Sequence, residues 1–160
     1  QTNVADVVLK ALFEASLNPR LLQLEITETI LMHDLEETVA TVRKIKDAGI
    51  SLAMDDFGTG YSSLSYIQRF PLDVLKIDRS FVKDLEFNKD NAVICNTIIA
   101  MAHNLGLKVI AEGVETQAQF DYLRDHGCDQ IQGFFFSKPL PAEQLEEKLL
   151  LQHEAAAEAD

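Results

Sequence analysis

The sequence has no tryptophan and only two cysteines, Cys95 and Cys128, which lie far apart and outside any C-x-x-C pair. A disulfide framework and a cysteine zinc site are therefore excluded, and a reducing compartment is expected, with both thiols acting as small buried apolar groups. Long apolar runs are also missing. Nothing reaches the roughly 18 residues that a membrane span requires, and no charged-then-apolar leader opens the chain, so a cytoplasmic domain is expected. Positive charge is scarce: 14 Lys and Arg stand against 26 Asp and Glu, a net charge of -12. Such a surface repels duplex nucleic acid. It can still take a small anion once carboxylates have gathered divalent cations, which then become the largest local charges.

With 47% hydrophobic and 25% charged residues the composition is that of a globular domain. Five short apolar, β-branched runs, at 22–26, 50–54, 74–77, 108–111 and 130–134, read as buried strands. Helical patterns separate them: Asp34 to Ala48 stopped by Gly49, Asp90 to Leu105 stopped by Gly106, and Thr116 to His126 stopped by Gly127. A helix from Val4 to Ala15 opens the chain after a Thr2 or Asn3 cap. Another, from Pro141 to His153, closes a single domain over 1–153, leaving Glu154 to Asp160 as a frayed tail.

Strand–helix alternation means parallel βαβ units, in an open doubly wound sheet or in a closed barrel. The G-x-G-x-x-G turn of a dinucleotide-binding sheet is absent, while polar residues stand at the C-terminal ends of several strands. This favours an α/β fold of the (βα)8 TIM type, present as roughly its last five units. Since a full barrel takes about 250 residues, about three strands are expected upstream of Gln1.

Those strand ends carry Glu25, then Asp55 and Asp56, then Lys76 and Asp78, then Glu112 and Glu115, then Gln132. Apolar strands do not bury charge without a partner or a metal. Oxygen donors without paired His or Cys suit Mg²⁺ or Mn²⁺, and two such ions bridged by a carboxylate suit phosphodiester hydrolysis. Strand parity points Glu25 into the mouth and leaves Glu28 beyond the strand, bonded to the backbone of a neighbouring loop. Asp55 is the expected bridging ligand. It shares the site with Asp56 only if the strand ends there, at the break supplied by Gly58, Thr59 and Gly60. The stretch Asp56 to Ser63 reads as a glycine-hinged lid over phosphates or as a plain βα turn. Lys76 is expected to hold a water or a phosphate oxygen. His33, His103, His126 and His153 read as solvated or helix-end groups, Phe134 to Phe136 as rim packing, and the helix from Asp90 as buried on more than one side.

Leu24-Glu25-Ile26-Thr27-Glu28, Asp55 to Leu64, Lys76-Ile77-Asp78, Ala111 to Thr116 and Gln132-Gly133-Phe134 together resemble the EAL-domain family of bacterial cyclic di-GMP phosphodiesterases. The resemblance implies that Glu25, Asp55, Asp56 and Glu112 are metal ligands for Mg²⁺ or Mn²⁺. It makes Lys76 the holder of the catalytic water or phosphate, and Glu112 also the general base. Glu28 would anchor the glycine-hinged loop of Gly58, Thr59 and Gly60, with Asp78, Glu115 and Gln132 in support. The family's Glu-x-Leu motif and an asparagine ligand would lie before Gln1, so the chain alone is expected to be silent or very weak. A homodimer with the loop near its interface is implied, as is fusion to a GGDEF or sensory domain in a parent that could be membrane-anchored. Two other readings compete: a degenerate domain that binds cyclic di-GMP without cutting it, and a barrel aldolase with Lys76 as Schiff base, which needs a depressed lysine pKa.

Overall fold

The computed structural model describes residues 3–27, 35–59 and 67–157. Helix α1 (Val4–Glu14) starts where the Asn3 side chain accepts from Ala5 N, replacing a bond that the first helical turn lacks. After a 3₁₀ turn at Pro19–Leu21 come β1 (Gln23–Thr27), α2 (Leu35–Asp47), β2 (Ser51–Phe57) and β3 (Val74–Ile77). There follow α3 (Arg79–Val82), α4 (Lys89–Asn104), β4 (Lys108–Glu112), α5 (Gln117–Asp125), β5 (Gln130–Gln132) and α6 (Ala142–Ala157).

All five strands are parallel, in the order β1-β2-β3-β4-β5. Spatial order follows chain order without reversal, the succession of a barrel wall and not of a doubly wound sheet. The two faces differ in chemistry, because successive side chains alternate across a strand. Leu52, Met54, Leu75, Ile77, Val109 and Ala111 turn to one face and join Val42, Ile45, Ile98, Ile99 and Leu123 in the main core. The opposite face has only a small apolar floor, Ala53, Val74 and Ile110. Above that floor, toward the C-terminal strand ends, lie the charged residues.

Three elements depart from the expected bounds by two residues or more. Strand β2 does not end at Met54 but runs on to Phe57, with an irregular register between those residues. Strand β5 ends at Gln132, where the chain turns at Gly133. A Cβ on Gly133 would lie 2.1 Å from Val114 O and 2.4 Å from Val114 N, so only glycine fits against that backbone. Helix α6 continues to Ala157, past the stop expected at His153. Helix α3, four residues long, has too few turns for its periodicity to be read from sequence.

Candidate metal centre

Each strand of the wall delivers its last polar side chains to one end. Lys76 Nζ lies 2.6 Å from Glu25 Oε1, 2.6 Å from Glu112 Oε1 and 2.9 Å from Asp55 Oδ1. The Lys76 side chain is only 3% exposed; three carboxylates from three other strands permit that burial, since an unpaired ammonium would be expelled or neutralised. Burial pulls its pKa down, but Glu112, Glu25 and Asp55 outweigh that and hold it above the ordinary lysine range.

Adjacent residues on a regular strand face opposite sides, yet Asp55 and Asp56 serve the same cluster. The backbone shows how. Asp56 has φ +55, in the left-handed region, at the register irregularity of β2. A left-handed residue in a bulge re-aims its side chain at some cost in strain. Thr59 holds the turn, donating from Oγ1 to Asp56 O at 2.9 Å, and Gly58 follows at φ +97, with the Phe81 ring 2.9 Å from where a Cβ would be. The convergence expected from a strand end is thus produced within a longer strand.

Carboxylate oxygens of Asp55, Asp56 and Glu112 lie within 4.8 Å of one another. Asp55 Oδ1 is buried without a hydrogen bond of proper geometry, the Lys76 ammonium meeting it only as an ion pair. A buried carboxylate oxygen met only by an ammonium, on a residue that converges with two more carboxylates, fits a hard divalent cation. Burial, opposed by Lys76 and reinforced by Asp55, pushes the Glu112 carboxyl above its usual range. Desolvation and the neighbouring Asp55 and Asp78 do the same to Asp56.

The remaining expected residues take other positions. Glu25 reaches the same ammonium but is not one of the three converging carboxylates. Asp78 caps α3, accepting from Ser80 N at 2.9 Å and from the Ser80 hydroxyl. Glu115 pairs with Arg79 at 2.8 Å. Gln132 stands beside Glu112 in the β4–β5 register and accepts Val114 N through its carbonyl. Glu28 and Gly60 lie outside the described residues. Sequence reasoning passed over Arg79 and Gln119. Arg79 follows Asp78 directly, but nothing in the order of residues brings it to Glu115, 36 positions away.

A parallel wall of βα units with buried Lys76 and its acids at the C-terminal strand ends defines an α/β-barrel protein with an acidic site on the barrel's catalytic face. Residues 2–139 match the EAL domain, and the chain belongs to that family. It is 47% identical over 149 residues to the cyclic di-GMP phosphodiesterase NbdA of Pseudomonas aeruginosa, covering 93% of this chain and 19% of NbdA. A solved MucR phosphodiesterase in complex with c-di-GMP superposes with a TM-score of 0.86 at 43% identity, covering 91% of this chain and 59% of that one. The manganese and cyclic di-GMP complex of Klebsiella pneumoniae BlrP1 gives 0.80 at 33% identity, over 87% of this chain and 36% of that one. The chain thus spans about a fifth of the curated relative's length.

Proposed function

We propose that this chain forms part of an EAL domain that hydrolyses cyclic di-GMP to the linear dinucleotide, using Mg²⁺ or Mn²⁺, with two ions expected. The observation that carries the reading is the convergence of the Asp55, Asp56 and Glu112 carboxylates, with the buried Lys76 ammonium alongside. Asp55, Asp56 and Glu112 would hold the metal, with Glu25 joining from β1. When bound, the cations supply charge neutralisation at the phosphodiester and lower the pKa of water.

The chain's own residues account for the rest. Lys76, kept protonated by its carboxylates, presents a fixed positive charge to a water or a phosphate oxygen. The same raised pKa disfavours a Schiff-base lysine, which needs a neutral amine. Glu112, beside Lys76 at the end of β4, is the general base that accepts the proton of attacking water. Gly58 and Thr59 form the described start of the loop that covers the phosphates. Asp78 and Glu115 act on backbone and on Arg79, in supporting roles, and Gln132 offers an amide at the rim. Homodimerisation and attachment to regulatory domains belong to the same proposal. Among the described residues no helix is long and apolar enough to cross a membrane.

Hydrolysis of cyclic di-GMP by the complete domain in Mg²⁺ or Mn²⁺ tests this, beside Glu112→Gln and beside the 160-residue chain alone. Glu112→Gln is expected to lower turnover at least about 100-fold, and the chain alone to be silent. Tight binding without turnover by the complete domain would make it a receptor. Full activity of Glu112→Gln would remove Glu112 from its role.

A further inference from the structure

Gln119 is one of two buried polar or charged side chains among the described residues, 4% exposed; the other is Lys76. A buried amide is costly unless its donors and acceptor are used, and here the bonds cross between two segments that frame the site. Oε1 accepts from Glu115 N at 2.7 Å and from Thr116 N at 3.1 Å. Nε2 donates to Lys83 O at 3.1 Å. The bond from Thr116 N belongs to the capping box that starts α5; the bond from Glu115 N lies one residue before the cap, and the third leaves the helix start altogether, because Lys83 lies 36 positions away, at the end of α3.

Helix α3 follows Lys76 and Asp78, while the turn at 113–116 follows Glu112. Gln119 therefore ties the backbone behind the site's ammonium to the backbone behind one of its carboxylates. Arg79 adds a second tie between these segments: its guanidinium meets Glu115, and its side chain lies across Gly113, 2.3 Å from where a Cβ would be. On the other side, Val114 is bonded through its N–H to Gln132 O and through its carbonyl to Phe135 N. The turn is thus clamped from both flanks, and the α3 flank depends on an amide that a cap alone does not require.

We propose that Gln119 is a positioning residue, which sets the placement of Glu112 relative to Lys76 and Asp55 and thereby the cation affinity of the cluster. The assignment rests on the metal-dependent reading of this site. Groups that orient ligands from outside typically change metal affinity by about 10- to 100-fold when removed.

The test uses the complete domain and counts free Mn²⁺ by electron paramagnetic resonance, a readout independent of turnover. Gln119→Glu keeps the size and the acceptor for Glu115 and Thr116 but replaces the donor to Lys83 O with a repelling oxygen; Gln119→Ala removes both. Asn96→Ala is the control. It breaks the Asn96–Tyr122 hydroxyl bond of 2.8 Å between α4 and α5 and leaves the turn untouched. The expected result is a roughly 10-fold or greater weakening of Mn²⁺ binding in both Gln119 variants, folded by circular dichroism, with unchanged binding in Asn96→Ala. Variants that melt earlier yet bind Mn²⁺ as the parent does would overturn the positioning role. An unmutated domain that binds no Mn²⁺ would overturn the functional reading, and this assignment with it, by a distinct signature.

Discussion

Lys76 is the residue on which the site's charge balance turns, the one cation in contact with Glu25, Asp55 and Glu112 among the described residues. Lys76→Met nearly preserves volume but leaves the half-buried acids facing one another. Removing one partner of a buried ionic group costs about 3–5 kcal/mol, so urea unfolding of the metal-free complete domain should show a loss of that order. Saturating Mn²⁺ should restore part of it, since a ligand bound only to the native state adds stability by mass action. No loss in the variant would mean that the acids are already neutral. Gly133 is the backbone counterpart. In Gly133→Ala the new methyl meets the Val114 backbone, which cannot rotate away, and overpacking of this kind costs roughly 1–3 kcal/mol. The same unfolding measurement checks it; an unchanged midpoint would show that the turn has room.

Between elements, a polar tie away from the site joins the end of α4 to the start of β4 through Asp129. Asp129 Oδ2 accepts from Val109 N at 2.8 Å and lies 2.8 Å from His103 Nε2. Desolvation would raise its pKa, but the His103 and Val109 contacts outweigh it and hold the carboxyl below its ordinary 3.8. A group whose pKa is lower in the folded state adds stability above its unfolded value, and that stability is lost as pH falls through the folded value. Asp129→Asn should therefore be less stable than the parent at neutral pH, with the gap closing as pH drops below about 4. A gap that persists unchanged into acid would point to shape and not to charge. At this scale the sequence was largely legible. The patterns around α2, α4 and α5 ended where a glycine follows, because caps and periodicity are local. The extension of β2 through the bulge at Asp56 was not legible, since a left-handed aspartate has no signature in the order of residues.

Across the whole chain, β1 and β5 each pair on one side only among the described residues. Phe134 and Phe136 near β5 are more than half exposed, and Phe13 in α1 is 86% exposed. Unpaired strand edges beside apolar surface template association, so this chain expressed by itself should self-associate. Sedimentation over about a tenfold concentration range would show mass-dependent broadening. A monomer at every concentration would mean that the net charge of -12 suffices to keep the edges apart.

What the sequence determined by itself is what depends on near neighbours. Strand and helix succession, the carboxylates at strand ends and the EAL motifs are all read along the chain, because β parity, helix period and motif spacing are properties of a few consecutive residues. Tertiary structure decided which of those acids meet. Asp55, Asp56 and Glu112 converge while Glu25 goes to Lys76, and Gln119 reaches Lys83. Such choices depend on sheet curvature, on one strained residue and on contacts between segments tens of positions apart, and those distances are set only when the βα units pack side by side.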